Sequence, residues 1–122
     1  MHIIYHQNAK DQTFCKEDTL LQPSIVIQKD HTYLYSVIMV HTESCFPYFI
    51  NWMMVNISVN NGTFTELIAY YPPIIATKYK FILLKQSSSI KLKRIPRTNF
   101  SLQTWIHQHG LQVMDSCDMN VT

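Results

Sequence analysis

Three polar side chains stand at the ends of apolar runs, where a folded chain could hold a small ligand. His41 ends one run, Asn51 begins the next, and Thr77 precedes a third run in which apolar and polar residues alternate. Residues two apart in a strand share a face, so each polar group would terminate an apolar face. Buried polar groups need hydrogen-bond partners, and a small anion is one candidate. The alternative is that these side chains bond to backbone at the strand ends.

Two further patterns could carry chemistry, but each lacks a component. Cys45 lies near His41 and Glu43, which suggests a Cys-His nucleophile, yet the sequence places no oxyanion element or orienting group beside them. A buried, unreactive thiol is the simpler interpretation. His107 and His109 are two positions apart, and on a helix that spacing points them away from each other, whereas chelation favours i and i+4. We therefore predict no catalytic residue, no metal and no cofactor.

A basic stretch near the end of the chain contains Lys91, Lys93, Arg94 and Arg97. It could meet an acidic partner or a lipid surface, and a solvated loop is the simpler interpretation. Stacking aromatic residues are not interleaved with it, and the net charge is only +2. These features argue against nucleic acid as a partner.

Composition limits the remaining function classes. Hydrophobic residues make up 47% and charged residues 15% of the 122 positions, which favours one globular domain over residues 1–122. With only Gly62 and Gly110, the chain has no phosphate-binding loop or dinucleotide fingerprint. Three cysteines without a CxxC pattern favour reduced thiols and a cytoplasmic location. No apolar run approaches the roughly 20 residues of a membrane-spanning helix.

The hydrophobic pattern predicts an all-β protein, an antiparallel β-sandwich with one short helix late in the chain. Period-2 alternation gives each polar end residue a set of neighbours on its own face. Those neighbours are Tyr35, Val37 and Met39 for His41; Met53, Val55, Ile57 and Val59 for Asn51; and Tyr79, Phe81 and Leu83 for Thr77. The predicted strands cover residues 2–5, 24–28, 33–41, 51–59, 78–85 and 111–114, the helix covers 100–109, and residues 64–71 are strand or irregular.

Four segments, in order, resemble the phosphatidylethanolamine-binding protein (PEBP) family, which includes Raf kinase inhibitor protein. They are YSVIMVHTESC, FINWMMVNI, YYPPIIATKYKFILLKQ and RTNFSLQTWIHQHGLQV. The resemblance as a whole runs from about Pro23 to Val113. The order of the Pro-Pro pair, the KYKFILLKQ strand and the HGL turn is moderately specific. The resemblance implies a PEBP-type sandwich that lacks most of the family's C-terminal segment. The composition and trimmed ends are similar to compact viral homologues of the family.

The resemblance also implies a ligand pocket, and the chain departs from the family there. His41 and Glu43 stand where the family has two aspartates, whereas Asn51 and Thr77 replace two pocket histidines. Neither replacement can carry positive charge, and charge-assisted hydrogen bonds are roughly twice as strong as neutral ones. The tips of His41, Asn51 and Tyr79 are expected to meet at one mouth of the fold. The implied ligand-binding set is His41, Glu43, Asn51, Thr77, Lys78 and Tyr79.

Two functions follow as expectations. The first is a non-enzymatic binding or regulatory protein with a degenerate pocket, acting through protein partners, which the resemblance implies to be host signalling proteins or kinases in the cytoplasm. The second is a binder of phospholipid headgroups, phosphate or another small anion through a remodelled pocket. The oligomeric state and the identity of the partner do not follow from the sequence.

Overall fold

The long apolar runs lie side by side in one six-stranded sheet, and a two-stranded ribbon forms a second sheet. The computed structural model describes residues 1–5, 13–41, 48–91 and 94–122. The fold of these residues is mainly β, as the sequence predicts. Its elements are β1 (His2–Ile4), β2 (Thr13–Phe14), a 3-10 helix (Lys16–Thr19), β3 (Ser24–Val26), β4 (Leu34–His41), β5 (Ile50–Ser58), β6 (Thr63–Ile68), β7 (Lys78–Gln86), α1 (Leu102–His109) and β8 (Gln112–Val121).

The large sheet has the strand order β2-β8-β7-β4-β5-β6, and β1 pairs with β3 in the ribbon. All neighbouring strands are antiparallel except β2 and β8. The central strands β4, β5 and β7 are the three strongest apolar runs of the sequence, because strands buried on both faces read as nearly continuous hydrophobic stretches. No helix among the described residues has the length and apolar character needed to cross a bilayer.

Each face of the large sheet supports its own layer of core. On the ribbon face, a cluster that includes Tyr35, Tyr79 and Phe81 packs against Ile3 and Ile25 of the ribbon. On the helix face, a second cluster is closed by helix α1 and the segments that flank it; its buried members are Ile38, Val40, Ile50, Met53, Val55, Ile68, Ile82, Leu84, Ile90, Phe100, Trp105 and Leu111. The predicted alternation of β4 and β7 is confirmed, since Tyr35, Val37 and Met39, and likewise Tyr79, Phe81 and Leu83, all belong to the ribbon-face cluster.

The sequence offers Asn99 or Ser101 as the cap at the start of the helix and Gly110 as the cap at its end, and the structure has Ser101 and Gly110 in these positions. The Ser101 hydroxyl accepts a hydrogen bond from the Thr104 N–H at 3.3 Å, which satisfies one of the open donors of the first turn. Gly110 ends the helix with φ of 58°, a left-handed conformation that glycine adopts without a Cβ penalty. The helix then buries Trp105 against the sheet.

Strand β5 contains a bulge at Asn56 that the sequence pattern does not predict. Asn56 has φ of 54°, and the pairing with β4 shifts register between Tyr35 and Val37. The extra residue reverses the alternation of β5, so that Ile57 and Val59 pack on the ribbon face. The prediction that these two residues share a face with Met53 and Val55 is therefore wrong.

A buried network of side-chain amides holds this bulge. Gln86, only 2% exposed, accepts from the Ser36 hydroxyl at 2.6 Å and from the Asn56 N–H at 2.9 Å. Its amide nitrogen donates to Asn56 Oδ1 at 2.8 Å and to the Ser88 carbonyl at 3.1 Å. The Asn56 side chain also exchanges two hydrogen bonds with the backbone of Ile90. The network thereby ties the bulge of β5 to β4, to β7 and to the chain after β7.

The last strand is longer than predicted. The sequence indicates a strand over residues 111–114, whereas β8 runs from Gln112 to Val121. Residues such as Asp115 and Asp118 are unfavourable in strands, which weakens the pattern. Antiparallel pairing with the strongly apolar β7 extends β8 along the full length of its neighbour.

We expect Gln86→Met to lower the free energy of unfolding by about 3 kcal/mol, because Ser36 and Asn56 would keep buried polar groups without their partner. Gln112→Met, at an exposed position of neighbouring β8, is the matched control and should change stability by less than about 0.5 kcal/mol. Urea denaturation of both variants measures the difference. Equal stabilities would show that the network does not hold the bulge.

The paired phenols of Tyr5 and Tyr70 predict how the stability of the fold changes at alkaline pH. Tyr70 donates to the Thr19 carbonyl at 2.8 Å and pairs with the Tyr5 hydroxyl at 2.8 Å. Burial raises the pKa of Tyr70 to about 12 and also raises the pKa of Tyr5. Unfolded phenols ionise near a pKa of about 10, so the stabilisation is complete below that pH and is lost as the pH rises towards 12.

Tyr5→Phe should weaken this loss of stability between about pH 10 and pH 12, because one of the two phenols no longer titrates. Tyr33→Phe, at a 43% exposed position, should leave the alkaline loss unchanged. Denaturation at a series of pH values measures the effect, and ultraviolet absorbance of the phenolates reports the titration. An identical alkaline loss in Tyr5→Phe would contradict the assignment.

Candidate functional site

His41 and Tyr79 lie next to each other at one end of the large sheet. They are paired residues of β4 and β7, and their ring centroids are 5.4 Å apart. Both side chains lie on the ribbon face, as the alternation predicts. The Nε2 atom of His41 is buried and makes no hydrogen bond to the described part of the chain. Tyr79 is 2% exposed, and its hydroxyl donates to the carbonyl of Ile75 at 2.9 Å.

Asn51 reaches the same end of the sheet. The pairing of β4 with β5 shifts register between Met39 and Val40, which leaves Asn51 as the extra residue of a second bulge. A bulge interrupts the alternation of side chains, so the face of Asn51 does not follow from its spacing to Met53. The expected meeting of His41, Asn51 and Tyr79 at one mouth stays a prediction.

The Asn51 amide is buried and already bonded within the protein. Its Nδ2 atom donates to the Tyr71 carbonyl at 3.0 Å, and its backbone carbonyl accepts from the Tyr71 N–H at 2.7 Å. The Oδ1 atom is buried and has no partner among the described residues. Asn51 thus fixes the chain that follows β6, as the alternative interpretation of a strand-end residue requires.

The other implied ligand residues are placed as follows. Thr77 is half-buried, and its carbonyl accepts from the Val121 N–H at 2.9 Å, so its backbone joins the end of β8 to the start of β7. Lys78 is exposed, and alternation in β7 directs it to the face opposite Tyr79. Glu43 lies outside the described residues, as does Cys45. The ligand-binding role of the six residues stays a prediction.

Arg97 also belongs to this end of the sheet, although its charge pattern predicts a solvated basic loop. Its Nη1 atom donates to the carbonyls of Ile50 at 2.9 Å and Asn51 at 3.1 Å, and its Nη2 atom donates to the carbonyl of Ala69 at 2.9 Å. A bulge interrupts the hydrogen-bond ladder, and the guanidinium supplies donors there. The signal in the sequence is that Arg97 begins the segment RTNFSLQTWIHQHGLQV, where the resemblance implies an Arg.

Aromatic rings enclose the same guanidinium. Its Cζ atom lies 5.3 Å from the ring centroid of Tyr71 and 5.9 Å from that of Phe49, distances at which cation–π attraction operates. Burial lowers the pKa of Arg97. No carboxylate among the described residues lies within salt-bridge distance of the guanidinium. Arg97 therefore acts as a clamp that joins β5, the end of β6 and its own loop.

The thiols of the described residues are not activated. A hydrogen bond to Asp18 raises the pKa of exposed Cys15, and burial raises the pKa of Cys117. A raised pKa keeps the thiol protonated, whereas nucleophilic cysteines need a lowered one. In the part of the chain that the structure describes, no three His, Cys, Asp or Glu side chains form a group that could hold a metal ion.

We expect Arg97→Met to lower the free energy of unfolding by about 2 kcal/mol, because the carbonyls of Ile50 and Ala69 lose the guanidinium donor and that of Asn51 keeps only the Tyr71 N–H. Arg97→Lys should recover only part of the loss, since an ammonium cannot match the fork of the guanidinium. Arg94→Met, at an exposed position three residues earlier, is the control. Hydrogen exchange at the Tyr71 amide should quicken in Arg97→Met alone; unchanged exchange would contradict the clamp.

Comparisons with known proteins do not name a family. No family model matches the sequence, and the search of curated proteins finds no match. The resemblance to the PEBP family therefore rests on the four segments described above.

Proposed function

We propose that this chain is a non-enzymatic, PEBP-like binding protein that acts through protein partners and whose ligand pocket is degenerate. The fold that goes with this proposal is a PEBP-type antiparallel β-sandwich over residues 1–122. Its support is the order of the resembling segments, three of which contribute the adjacent central strands β4, β5 and β7. The HGL segment supplies the glycine that ends helix α1.

The proposal rests on one observation: several hydrogen-bond donors at this end of the sheet already donate to carbonyls of the protein itself. Asn51 Nδ2 donates to the Tyr71 carbonyl, and the Tyr79 hydroxyl donates to the Ile75 carbonyl. The nearby Arg97 guanidinium donates to three carbonyls. An anion that recruited these groups would have to replace hydrogen bonds that the protein already makes, each of which contributes about 1 kcal/mol net. Groups used in this way hold the fold together and favour a degenerate pocket.

Partners of this kind are by resemblance host signalling proteins or kinases, and the compartment that suits them is the cytoplasm. The weak net charge of +2 is consistent with recognition of a protein surface and gives no electrostatic drive towards nucleic acid.

The second candidate function is binding of a phospholipid headgroup, phosphate or another small anion. His41 favours it, because the buried Nε2 atom has no partner among the described residues. An imidazole N–H at that position would donate to an anion. Asn51 Nδ2 does not add a free donor to this site, since it already donates to the Tyr71 carbonyl.

Titration with inorganic phosphate and with phosphorylethanolamine separates the two candidates. The proposal expects no saturable NMR shift of the His41 ring or the Asn51 side-chain amide up to about 10 mM ligand, which corresponds to a binding free energy weaker than about −3 kcal/mol. Saturable shifts of the His41 ring, together with a binding heat that calorimetry detects in wild type and not in His41→Asn, would overturn the degenerate pocket and establish the second candidate.

A binary binding measurement tests the role of protein partners. A protein captured from cytosol is purified and titrated into wild type and His41→Ala. We expect the dissociation constant to change by less than about twofold, and to be insensitive to phosphorylethanolamine at about 10 mM. The absence of any stoichiometric protein complex, or a complex that the small ligand dissolves, would overturn the proposal.

A further inference from the structure

A groove of about 500 Å³ lies on the ribbon face, away from the end of the sheet that holds His41. One wall is the chain from Gln22 to Ile27, which contains β3. The other wall is the hairpin of β5 and β6, and it is mostly apolar; it is formed by Trp52, Met54, Ile57, Ser58, Val59, Gly62 and Phe64. The bulge at Asn56 creates this wall, because it turns Ile57 and Val59 towards the ribbon.

The first wall presents a backbone edge to the groove. Successive residues from 22 to 27 line it, although side chains alternate between the two faces of a strand. β3 pairs with β1 along its other edge only, and the described residues supply no further backbone hydrogen bond to residues 24–26. An open strand edge beside apolar pockets is the arrangement that binds an extended peptide by strand addition.

Two side chains of the groove are more exposed than their apolar character favours. Phe64 on β6 is 48% exposed and Val26 on β3 is 39% exposed. They lie on opposite walls, so an extended segment between them would contact both. Burying such side chains contributes about 25 cal/mol for each Å² of apolar surface.

A carboxylate lies beside the groove. The indole N–H of Trp52 donates to Glu66 Oε2 at 2.7 Å, which fixes the Glu66 carboxylate beside the groove wall. No basic side chain of the described residues forms an ion pair with Glu66. A partner with a Lys or Arg near Trp52 would form an ion pair with the Glu66 carboxylate.

We propose that the groove binds an extended, largely apolar segment of a partner protein, which adds as a strand to the free edge of β3 and places a basic residue beside Glu66. This inference rests on the proposed function, because it names the binding surface of that protein partner. The apolar wall selects alternate side chains of the segment, and the edge of β3 supplies main-chain hydrogen bonds.

A fluorescence titration tests the groove directly. The chain has two tryptophans, so Trp105→Phe leaves Trp52, a residue of the groove wall, as the reporter. The probe is a blocked hexapeptide in which one lysine precedes alternating valine and threonine. We expect saturable quenching or a shift of Trp52 emission, with a dissociation constant at or below about 1 mM.

Three changes to the experiment identify the contacts. Replacing the peptide lysine by glutamate should weaken binding about threefold to fivefold, and Glu66→Gln should remove that difference. N-methylation of alternate peptide amides should weaken binding more than about tenfold, since strand addition depends on main-chain hydrogen bonds. Phe64→Lys should abolish binding, whereas Ile74→Lys, at a 61% exposed position outside the groove, should not.

The outcomes separate this inference from the proposed function. Absence of saturable binding at about 5 mM peptide, or equal binding by Phe64→Lys, overturns the groove. If the captured partner still binds Phe64→Lys with wild-type affinity, the groove fails and the proposed function stands. Self-association that Phe64→Lys abolishes would assign the groove to a second copy of the chain, and quenching by a fatty acid but not by peptide would assign it to a lipid chain; either result overturns the proposal.

Discussion

The structure depends on the requirement that every buried main-chain polar group in strand β5 finds a hydrogen-bond partner. β5 lies between β4 and β6, and it is irregular at Asn51 and again at Asn56. Each irregularity interrupts the ladder, and in each case a side chain from later in the sequence restores the missing bonds. Arg97 does so at the first and Gln86 at the second. Both side chains join segments that are distant in sequence. The chain after β7 is therefore held in place by its hydrogen bonds to β5.

The two irregularities of β5 have different consequences for ligand binding. At the Asn51 end, the Arg97 guanidinium, the Asn51 amide nitrogen and the Tyr79 hydroxyl all donate to carbonyls of the protein itself. At the Asn56 end, the extra residue reverses the alternation of β5 and turns Ile57 and Val59 to the ribbon face. One irregularity therefore reduces the capacity to bind an anion, and the other builds an apolar wall.

The sequence predicts the parts of this fold that obey a simple period. β4 and β7 alternate without interruption, and helix α1 shows both its apolar spacing and its cap residues Ser101 and Gly110. The bulges follow no period, because they are decided by long-range bonds to Gln86 and Arg97. For this reason, the period-2 pattern predicts Ile57 on the face of Met53, whereas Ile57 packs on the ribbon face.

The candidate site shows the same division between local pattern and long-range contact. The adjacency of His41 and Tyr79 follows from alternation and from the antiparallel register of β4 with β7. The position of Asn51 does not, because Asn51 is the extra residue of a bulge that interrupts the alternation of β5. Arg97 resembled a solvated basic residue because the carbonyls that it binds are distant in sequence, at Ile50, Asn51 and Ala69.

Comparison of the two regions indicates where binding free energy is available. A ligand at the Asn51 end would have to replace hydrogen bonds that already have good geometry, and net hydrogen-bond exchange contributes only about 1 kcal/mol for each bond. A strand in the groove would bury Phe64 and Val26, which are exposed, and would satisfy an edge of β3 that the described residues leave open. The groove gains contacts without breaking any, and this asymmetry favours recognition of an extended protein segment over recognition of a small anion.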